Sequence, residues 1–328
     1  MNKAWVVSEA GRASWIISVA LWAAYLLHPH GSSYLLDYHV HAAGAWDLLD
    51  GTLYRAELAH PGRLPVDRFN YPPLAAAIAV PFAWLPDAVG GSAWVILNIV
   101  AMAGACVLAT RLLGGAPGWA GISFGLFSIY PWALSTLLGN INPLVLFLVL
   151  LFAVLHQRGR QFESGIILGI AVGLKLWPIT LLPLLLRERR WSAIAWLTWV
   201  LALQAGVTVF LLGTDVVPHV IANLTYRLPL GPEDFVIGPS ALEWWPRWGG
   251  YVLAALLLLV PGRGRMGIGL AMLAGMALVP NLWRHYFPTV VVAGILILAD
   301  VYRARRQGRH AAHSTDGVRP VDVLDSSM

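Results

Sequence analysis

The sequence predicts an all-α, polytopic integral membrane protein, and three observations lead to this fold class. Of the 328 residues, 58% are hydrophobic and 12% are charged, whereas a soluble domain carries about 25% charged residues. The mean hydropathy is +0.67. Apolar runs recur between Trp15 and Tyr302 and leave no stretch for a separate soluble domain. We therefore expect a single transmembrane domain over residues 1–302, with any chemistry in this body and its loops.

The apolar runs divide into membrane crossings and shorter segments, because a helix needs about 20 apolar residues to cross the hydrocarbon. The first run, 15–27, lacks an Ala-x-Ala cleavage site and is expected to be a retained anchor. Three segments are too short to cross and are predicted to be interfacial or re-entrant helices, namely 72–85, 163–174 and 177–186. The other predicted crossings are 92–110, 119–138, 143–156, 191–212, 248–260, 266–280 and 287–302.

Arginine clusters predict the topology. The net charge is +5, and the basic residues lie at the ends of apolar runs. The positive-inside rule assigns such clusters to the cytoplasm, which makes nucleic acid a poor explanation for them. Placing the clusters at 158–160 and 187–190 on one side requires the segment between them to enter the membrane and return. We predict a hairpin of two short helices there, with Lys175 and Pro178 near its turn.

With the N-terminus inside, the polar loops 31–91 and 213–247 lie outside the membrane. The short elements 139–142, Lys175 and 283–285 fall on the same side. Convergence of scattered polar groups on one face is what a site at the membrane surface would look like. The polar tail, 303–328, is expected to be cytoplasmic and disordered.

The first external loop contains a candidate catalytic carboxylate. Apolar residues at positions 40, 43 and 46 have helical spacing and predict an amphipathic helix along the surface. Asp37 lies near the start of this helix, and His41 follows one turn later. On spacing alone, Asp37 serves the chemistry or caps its own helix, and both interpretations stay open.

Lys175 is the clearest candidate for binding an anion. A lysine inside an apolar segment costs about 3 kcal/mol, so it should have a partner or a purpose, and a phosphate would serve as either. The alternative is a side chain that snorkels to the interface. Arg284 and His285, between the last two crossings, could complete a cationic pocket for a phosphate head group.

Other polar and aromatic groups on the outer face could contact a sugar. Asn140 and Asn142 lie at a helix junction, where an amide either caps the next helix or contacts substrate. Asn70 and Tyr71 precede a proline pair and belong either to a sugar site or to an ordinary aromatic belt. Glu243, followed by two tryptophans, could bind a glycan by hydrogen bonding and stacking.

Short motifs along the chain carry a family resemblance through their order and spacing. They are Asp37 with Val40 and Ala43, Gly51 to Tyr54, Tyr71-Pro72-Pro73, Gly139 to Pro143, Gly165-x-x-x-Gly169 leading to Lys175-Leu176-Trp177-Pro178, and Trp283-x-His285-Tyr286. Together they resemble the polyprenol-phosphate-mannose-dependent mannosyltransferases of glycosyltransferase family 87. The resemblance implies a C-type glycosyltransferase helix bundle with amphipathic helices in the first external loop.

The resemblance also implies roles for individual residues. Asp37 matches the family's catalytic base and would deprotonate an acceptor hydroxyl in an inverting transfer. Lys175, His285 and Arg284 would bind the donor phosphate. The candidate sugar or acceptor contacts are His41, Asn70, Tyr71, Asn142 and Glu243. One departure stands out, since many relatives carry Tyr where this chain has His41.

The implied partners are a polyprenyl-phosphate-sugar donor, a glycolipid or glycan acceptor such as a phosphatidylinositol mannoside or lipoglycan, and membrane lipids. The implied location is the plasma membrane of an actinobacterium, with the active site outside. No Asp-x-Asp signature occurs, so we expect neither a metal nor another cofactor. Arabinofuranose is the alternative sugar. A lipid-linked sugar flippase, which internal repeats would favour, and a structural subunit are the alternatives outside the enzyme class.

Overall fold

The computed structural model describes residues 3–27, 35–54, 69–129, 133–224, 249–278 and 286–315. These residues form helices and turns without any strand, so the all-α prediction is confirmed. The helices are α1 Lys3–Leu27, α2 Leu36–Leu49, α3 Pro73–Ala83, α4 Asp87–Leu113, α5 Gly118–Phe127, α6 Leu134–Leu137, α7 Asn142–Gln157, α8 Gln161–Leu174, α9 Leu182–Arg187, α10 Trp191–Leu212, α11 Val216–Leu224, α12 Gly249–Leu259, α13 Gly264–Leu278 and α14 Phe287–Thr315, with a 3₁₀ helix Trp177–Leu181 before α9.

Among the described helices, four are long and apolar enough to cross a membrane. They are Val6–Leu27, Asp87–Leu113, Trp191–Leu212 and Phe287–Ala304. Their positions match four of the predicted crossings. The predicted crossings at α7, α12 and α13 are helices of 16, 11 and 15 residues. Helices of this length can span where the bilayer is locally thinner.

The predicted crossing 119–138 is wrong, because the run is broken. Helix α5 ends at Phe127, and α6 is a separate helix of four residues. Pro131 follows α5 closely in the sequence, and a proline in a helix interior removes a backbone hydrogen bond and clashes with the preceding turn. Apolar composition over this run was therefore a poor guide to helix continuity.

Two further differences concern the loops and the tail. Helix α11 lies in the segment 213–247, which was predicted to be an external loop without a helix. Helix α14 continues to Thr315, past the predicted end at Tyr302. The added residues are rich in Ala and Arg, which have high helix propensity.

The predicted hairpin is present. Helix α8 ends at Leu174, and Lys175 leaves the helix in an extended conformation, with φ −157° and ψ 133°. The 3₁₀ helix and α9 then return toward Arg187. Close packing of α8 on α10 depends on Gly169, where a Cβ would lie 2.7 Å from the Val200 Cβ. Small residues of this kind let membrane helices approach closely.

Basic clusters meet at one end of the fold. The Arg187 guanidinium donates to the carbonyl oxygens of Val260 and Gly262, both at 2.9 Å. At the C-terminal end of α4, the Arg303 guanidinium donates to the Leu113 carbonyl oxygen at 2.8 Å. Arg158 and Arg160 lie in the turn between α7 and α8. Asn142, at the start of α7, and Lys175, after the end of α8, lie at the opposite ends of these two helices. The turns that carry the polar candidates are therefore separated from the arginine clusters by the length of these helices.

Candidate active site

Asp37 occupies the first turn of α2, and the backbone pins this turn to the α6–α7 junction. The N–H groups of Asp37 and Tyr38 both donate to the Leu138 carbonyl oxygen, at 2.9 and 3.2 Å. Leu35, which precedes the helix, has φ 64°, a left-handed conformation that is rare for leucine. The start of α2 is thus held by a contact between segments about a hundred residues apart in the chain.

The Asp37 carboxylate is joined to Lys175 through two asparagines. Its Oδ2 atom accepts a hydrogen bond of 2.8 Å from Asn140 Nδ2. Asn140 Oδ1 accepts from the backbone N–H of Asn142 at 3.0 Å, and Asn142 Oδ1 accepts from Lys175 Nζ at 2.8 Å. We call these four residues the Asp37–Lys175 chain. Both asparagines are buried, while Asp37 and Lys175 are only half-buried, so the two charged ends are the parts that a substrate can reach.

Two aromatic rings flank the Lys175 ammonium. Nζ lies 4.5 Å from the centroid of the Tyr286 ring and 5.1 Å from that of Tyr71. Such cation–π contacts hold a cation electrostatically without neutralising it. Asn142 accepts one of the three N–H groups that an ammonium offers. The ammonium is therefore held in place and still able to donate to an anion.

His41 lies behind the Tyr71 ring and is fully buried. Its ring centroid is 4.5 Å from that of Tyr71, 5.3 Å from Trp94 and 6.1 Å from Phe69. Burial and, to a smaller extent, the nearby charge of Lys175 together lower the pKa of His41 to about 3. His41 is therefore neutral at physiological pH and packs against aromatic rings. The predicted contact of His41 with sugar or acceptor stays a prediction.

Tyr71 and Asn70 lie at the edge of the site. The Tyr71 backbone carbonyl accepts a hydrogen bond of 2.5 Å from the Tyr54 hydroxyl, and Tyr54 has φ 72°. The Tyr71 ring itself is buried beside Lys175, whereas Asn70 is exposed. Of this pair, Asn70 is therefore the more accessible to a ligand.

The structure brings five of the predicted residues into one connected group, namely Asp37, His41, Tyr71, Asn142 and Lys175. Arg284, His285 and Glu243 lie outside the described residues. Sequence reasoning left the role of Asn140 open and gave none to Tyr286 or to Trp94. A tryptophan within an apolar run carries no signal of its own, but Tyr286 stood in a recognised motif and could have been weighed.

The comparison with protein families decides what kind of protein carries this site. The family model of glycosyltransferase family 87 matches residues 69–316. The chain belongs to glycosyltransferase family 87. This membrane protein is therefore a glycosyltransferase. No solved structure matches the chain.

Curated relatives of this family 87 glycosyltransferase are mycobacterial. The chain is 28% identical, over 93% of its length and 77% of the relative's, to a polyprenol-phosphate-mannose-dependent alpha-(1-2)-phosphatidylinositol pentamannoside mannosyltransferase of Mycolicibacterium smegmatis. It is 29% identical to the protein of the same name in Mycobacterium tuberculosis, over 75% of this chain and 54% of that protein. It is also 28% identical to an alpha-(1->3)-arabinofuranosyltransferase of M. tuberculosis, over 55% of this chain and 43% of the relative.

Gly139 is a glycine on which the geometry of this candidate site depends. It has φ 75°, and a Cβ there would lie 2.7 Å from the Tyr38 Cβ. Its carbonyl oxygen accepts a hydrogen bond of 2.6 Å from the Trp94 indole. The residue thus needs a left-handed backbone and a close approach at once, directly beside the turn that carries Asp37.

We expect Gly139→Ala to lower both thermal stability and transfer rate. The left-handed conformation costs a non-glycine residue about 1–2 kcal/mol, and forcing Tyr38 away adds an overpacking cost of about 1–3 kcal/mol. Gly159→Ala is the matched control, because Gly159 has φ 74° with nothing within 4 Å of the added Cβ. Thermal unfolding and transfer assays would compare the two variants. Equal losses in both would contradict a special packing role for Gly139.

The protonation of Asp37, which lies outside the four spanning helices, responds to its neighbours. Burial raises the pKa of Asp37 above its ordinary value, while the hydrogen bond from Asn140 and the charge of Lys175 lower it by smaller amounts. A carboxylate with a raised pKa is a stronger base. The local environment therefore makes Asp37 a better proton acceptor than an exposed aspartate.

We expect Asn140→Leu to shift the acidic limb of the pH profile. The carboxylate form of Asp37 would be the active one, so activity falls as the pH drops through its pKa. Removing the donor destabilises the charged form of Asp37, which raises its pKa and moves the acidic limb to higher pH. The profile of kcat/KM against pH measures the shift. Asn98→Leu is the control, because that buried amide bonds to its own helix; an unmoved limb in Asn140→Leu would contradict the assignment.

Proposed function

We propose that this glycosyltransferase moves mannose from a polyprenyl-phosphate-mannose donor to a glycolipid or envelope-glycan acceptor, with inversion, at the outer face of the plasma membrane. The observation that carries the proposal is the Asp37–Lys175 chain. A carboxylate and an ammonium stand at the two half-buried ends of one hydrogen-bonded row. Base and phosphate ligand are the two groups that such a transfer requires.

In the proposed reaction, Asp37 accepts the proton of an acceptor hydroxyl. The hydroxyl oxygen attacks the anomeric carbon, and the bond from that carbon to the phosphate oxygen breaks. The polyprenyl phosphate leaves with the electron pair of this bond, and its negative charge increases beside Lys175. A fixed cation at this point stabilises the transition state more than the ground state, which is what accelerates the step.

A single carboxylate suffices for this reaction. Glycosidases use a pair of carboxylates, one of which protonates the leaving oxygen. A phosphate leaves as a stable anion and needs electrostatic stabilisation instead of a proton. Within the described part of the site, Asp37 is the carboxylate on the Asp37–Lys175 chain and Lys175 is the cation, which fits this division of labour.

Mannose is proposed over other sugars because of the breadth of the similarity. The alignment with the M. smegmatis mannosyltransferase covers 93% of the chain, while that with the arabinofuranosyltransferase covers 55%. The second alignment nevertheless makes arabinofuranosyl transfer from a polyprenyl phosphate the second candidate. Outer-face action is supported by the separation of the site from the arginine clusters, which the positive-inside rule assigns to the cytoplasm.

The test is a transfer assay in membranes that contain the protein, with a phosphatidylinositol mannoside as acceptor. Polyprenyl-phosphate-mannose and polyprenyl-phosphate-arabinofuranose are offered separately as donors. Transfer of mannose alone is the expected result, and transfer of arabinofuranose alone would replace the first candidate by the second. Movement of the intact donor across vesicle membranes without transfer would favour the flippase interpretation and overturn the proposal.

A further inference from the structure

Two arginines lie together at the end of the fold that carries the arginine clusters. Arg265 is in the first turn of α13, and Arg303 lies on α14 directly before Ala304, where the spanning part of that helix ends. The Met266 N–H donates to Asp300 Oδ2 at 3.0 Å, which fixes the start of α13 against α14. The two guanidinium groups thereby come close enough for the charge of Arg303 to act on Arg265.

The Arg265 guanidinium has hydrogen-bonding capacity that the protein does not use. Its Nη1 atom is buried and has no hydrogen-bond partner among the described residues, although the residue as a whole is half-buried. Burial and the charge of Arg303 lower the pKa of Arg265, and Asp300 raises it by a smaller amount. Arginine nevertheless stays protonated in proteins. A buried donor of a cation is destabilising when it lacks an acceptor, and a bound anion would supply one.

The positive charge of this pair is not neutralised by the part of the chain that the structure describes. The nearby carboxylate is that of Asp300, and one of its oxygens already accepts the Met266 N–H. Within the described segments, no salt bridge joins Asp300 to either arginine. Arg303 is exposed and donates to the Leu113 carbonyl oxygen, whereas a guanidinium carries five N–H donors. The pair therefore offers an anion two cations with unused donors.

We propose that Arg265 and Arg303 bind the phosphate group of an anionic phospholipid at the cytoplasmic surface of the membrane. The planar fork of a guanidinium matches two oxygens of a phosphate, so two arginines can hold one head group through several charge-assisted hydrogen bonds. The positive-inside rule assigns this end of the fold to the cytoplasm. Arg303 lies at the end of a spanning helix, which is the depth at which lipid head groups lie.

The surroundings of the pair favour a lipid over a free phosphate ion. Leu298 and Tyr302, four residues apart on α14, are 67% and 69% exposed, so a largely apolar strip next to Arg303 is open to acyl chains. A phospholipid can contact this strip and the guanidinium groups at once, whereas inorganic phosphate has only the guanidinium groups. The cytoplasmic leaflet also presents anionic lipids at its surface, and basic residues near the ends of spanning helices attract them.

The test measures thermal unfolding of the full-length protein in a neutral detergent with added phosphatidylglycerol, phosphatidylcholine or inorganic phosphate. We expect phosphatidylglycerol to raise the Tm by about 2 to 4 °C at a concentration of roughly ten times its Kd, and the other two additions to leave the Tm unchanged. Arg265→Gln and Arg303→Gln should each lose most of this shift, because the phosphate needs both guanidinium groups.

Arg158→Gln is the matched control. Arg158 is exposed and belongs to another arginine cluster, in the turn between α7 and α8, so its loss should leave the shift intact. Arg265→Lys keeps the positive charge and loses the fork, and it serves as a second variant if Arg265→Gln does not fold. Native mass spectrometry of the same proteins counts the tightly held phosphatidylglycerol, which should fall by one molecule in the variants of Arg265 and Arg303.

Three results would overturn the inference. An equal shift with phosphatidylcholine would indicate a general effect of lipid, and an equal shift with inorganic phosphate would assign the site to a free anion. An undiminished shift in the variants of Arg265 and Arg303, or an equal loss in Arg158→Gln, would indicate attraction by surface charge in general. Because no sugar donor or acceptor is present in this experiment, its failure would leave the proposed function untouched.

Discussion

Replacement of Asp37 by Asn is expected to lower kcat for sugar transfer by about 100- to 10,000-fold, the range that a positioned general base contributes. Asparagine has nearly the same shape as aspartate, and its carbonyl oxygen can still accept the hydrogen bond from Asn140. The variant therefore keeps the Asp37–Lys175 chain and removes only the proton acceptor. The rate of mannose transfer at matched expression, with saturating donor and acceptor, measures the effect.

Asp50→Asn is the matched control for this experiment. Asp50 lies at the C-terminal end of the same helix and is exposed, so its loss should leave the rate close to that of the unaltered protein. A rate unchanged in Asp37→Asn would contradict the assignment of the base while leaving the enzyme class untouched. A large loss in both variants would point to a defect of α2 as a whole.

Replacement of Lys175 by Met is expected to lower kcat/KM at least about 30-fold, since loss of one partner of a hydrogen-bonded charge pair that binding desolvates costs about 2 kcal/mol or more. The donor phosphate would lose its cation both on binding and in the transition state, so KM should rise while kcat falls. Methionine keeps an unbranched chain between the rings of Tyr71 and Tyr286. Initial rates over a range of donor concentrations separate the two effects.

Arg158→Met is the control for the removal of a positive charge. Arg158 is exposed at the end of α7 opposite to Asn142, so its loss should not change the KM for the donor. A second variant, Lys175→Arg, tests the shape of the site, because a planar guanidinium does not fit the place of a compact ammonium between two rings. Donor kinetics in Lys175→Met equal to those of the unaltered protein would contradict the phosphate assignment.

Hydropathy and charge predicted much of the architecture, because a segment that lies in lipid must be apolar and basic residues collect in the loops on the cytoplasmic side. The helices that span must be apolar over their whole length, and α4 and α10 were therefore visible as long runs. The hairpin at Lys175 followed from two arginine clusters that had to share a side. Such constraints act on each segment separately, so a reader of the sequence can apply them without knowing the fold.

The predictions of helix bounds that failed also have a physical reason. Composition does not report where a helix breaks, so α5 and α6 were read as one crossing. It also does not report a helix whose stability comes from local propensity, and the extension of α14 to Thr315 was missed for that reason. These errors changed the bounds of elements and did not concern Asp37, Asn140, Asn142 and Lys175, which the structure brings together.

The sequence by itself determined the all-α membrane class and the candidacy of Asp37 and Lys175, because a carboxylate in a surface helix and a lysine in an apolar segment are conspicuous locally. Only the tertiary structure decided that the two are joined through Asn140 and Asn142, across 103 residues of chain at the first step. It also decided that His41 is buried behind an aromatic ring. Hydrogen-bond partners and burial depend on which distant segments pack together, and no local pattern carries that information.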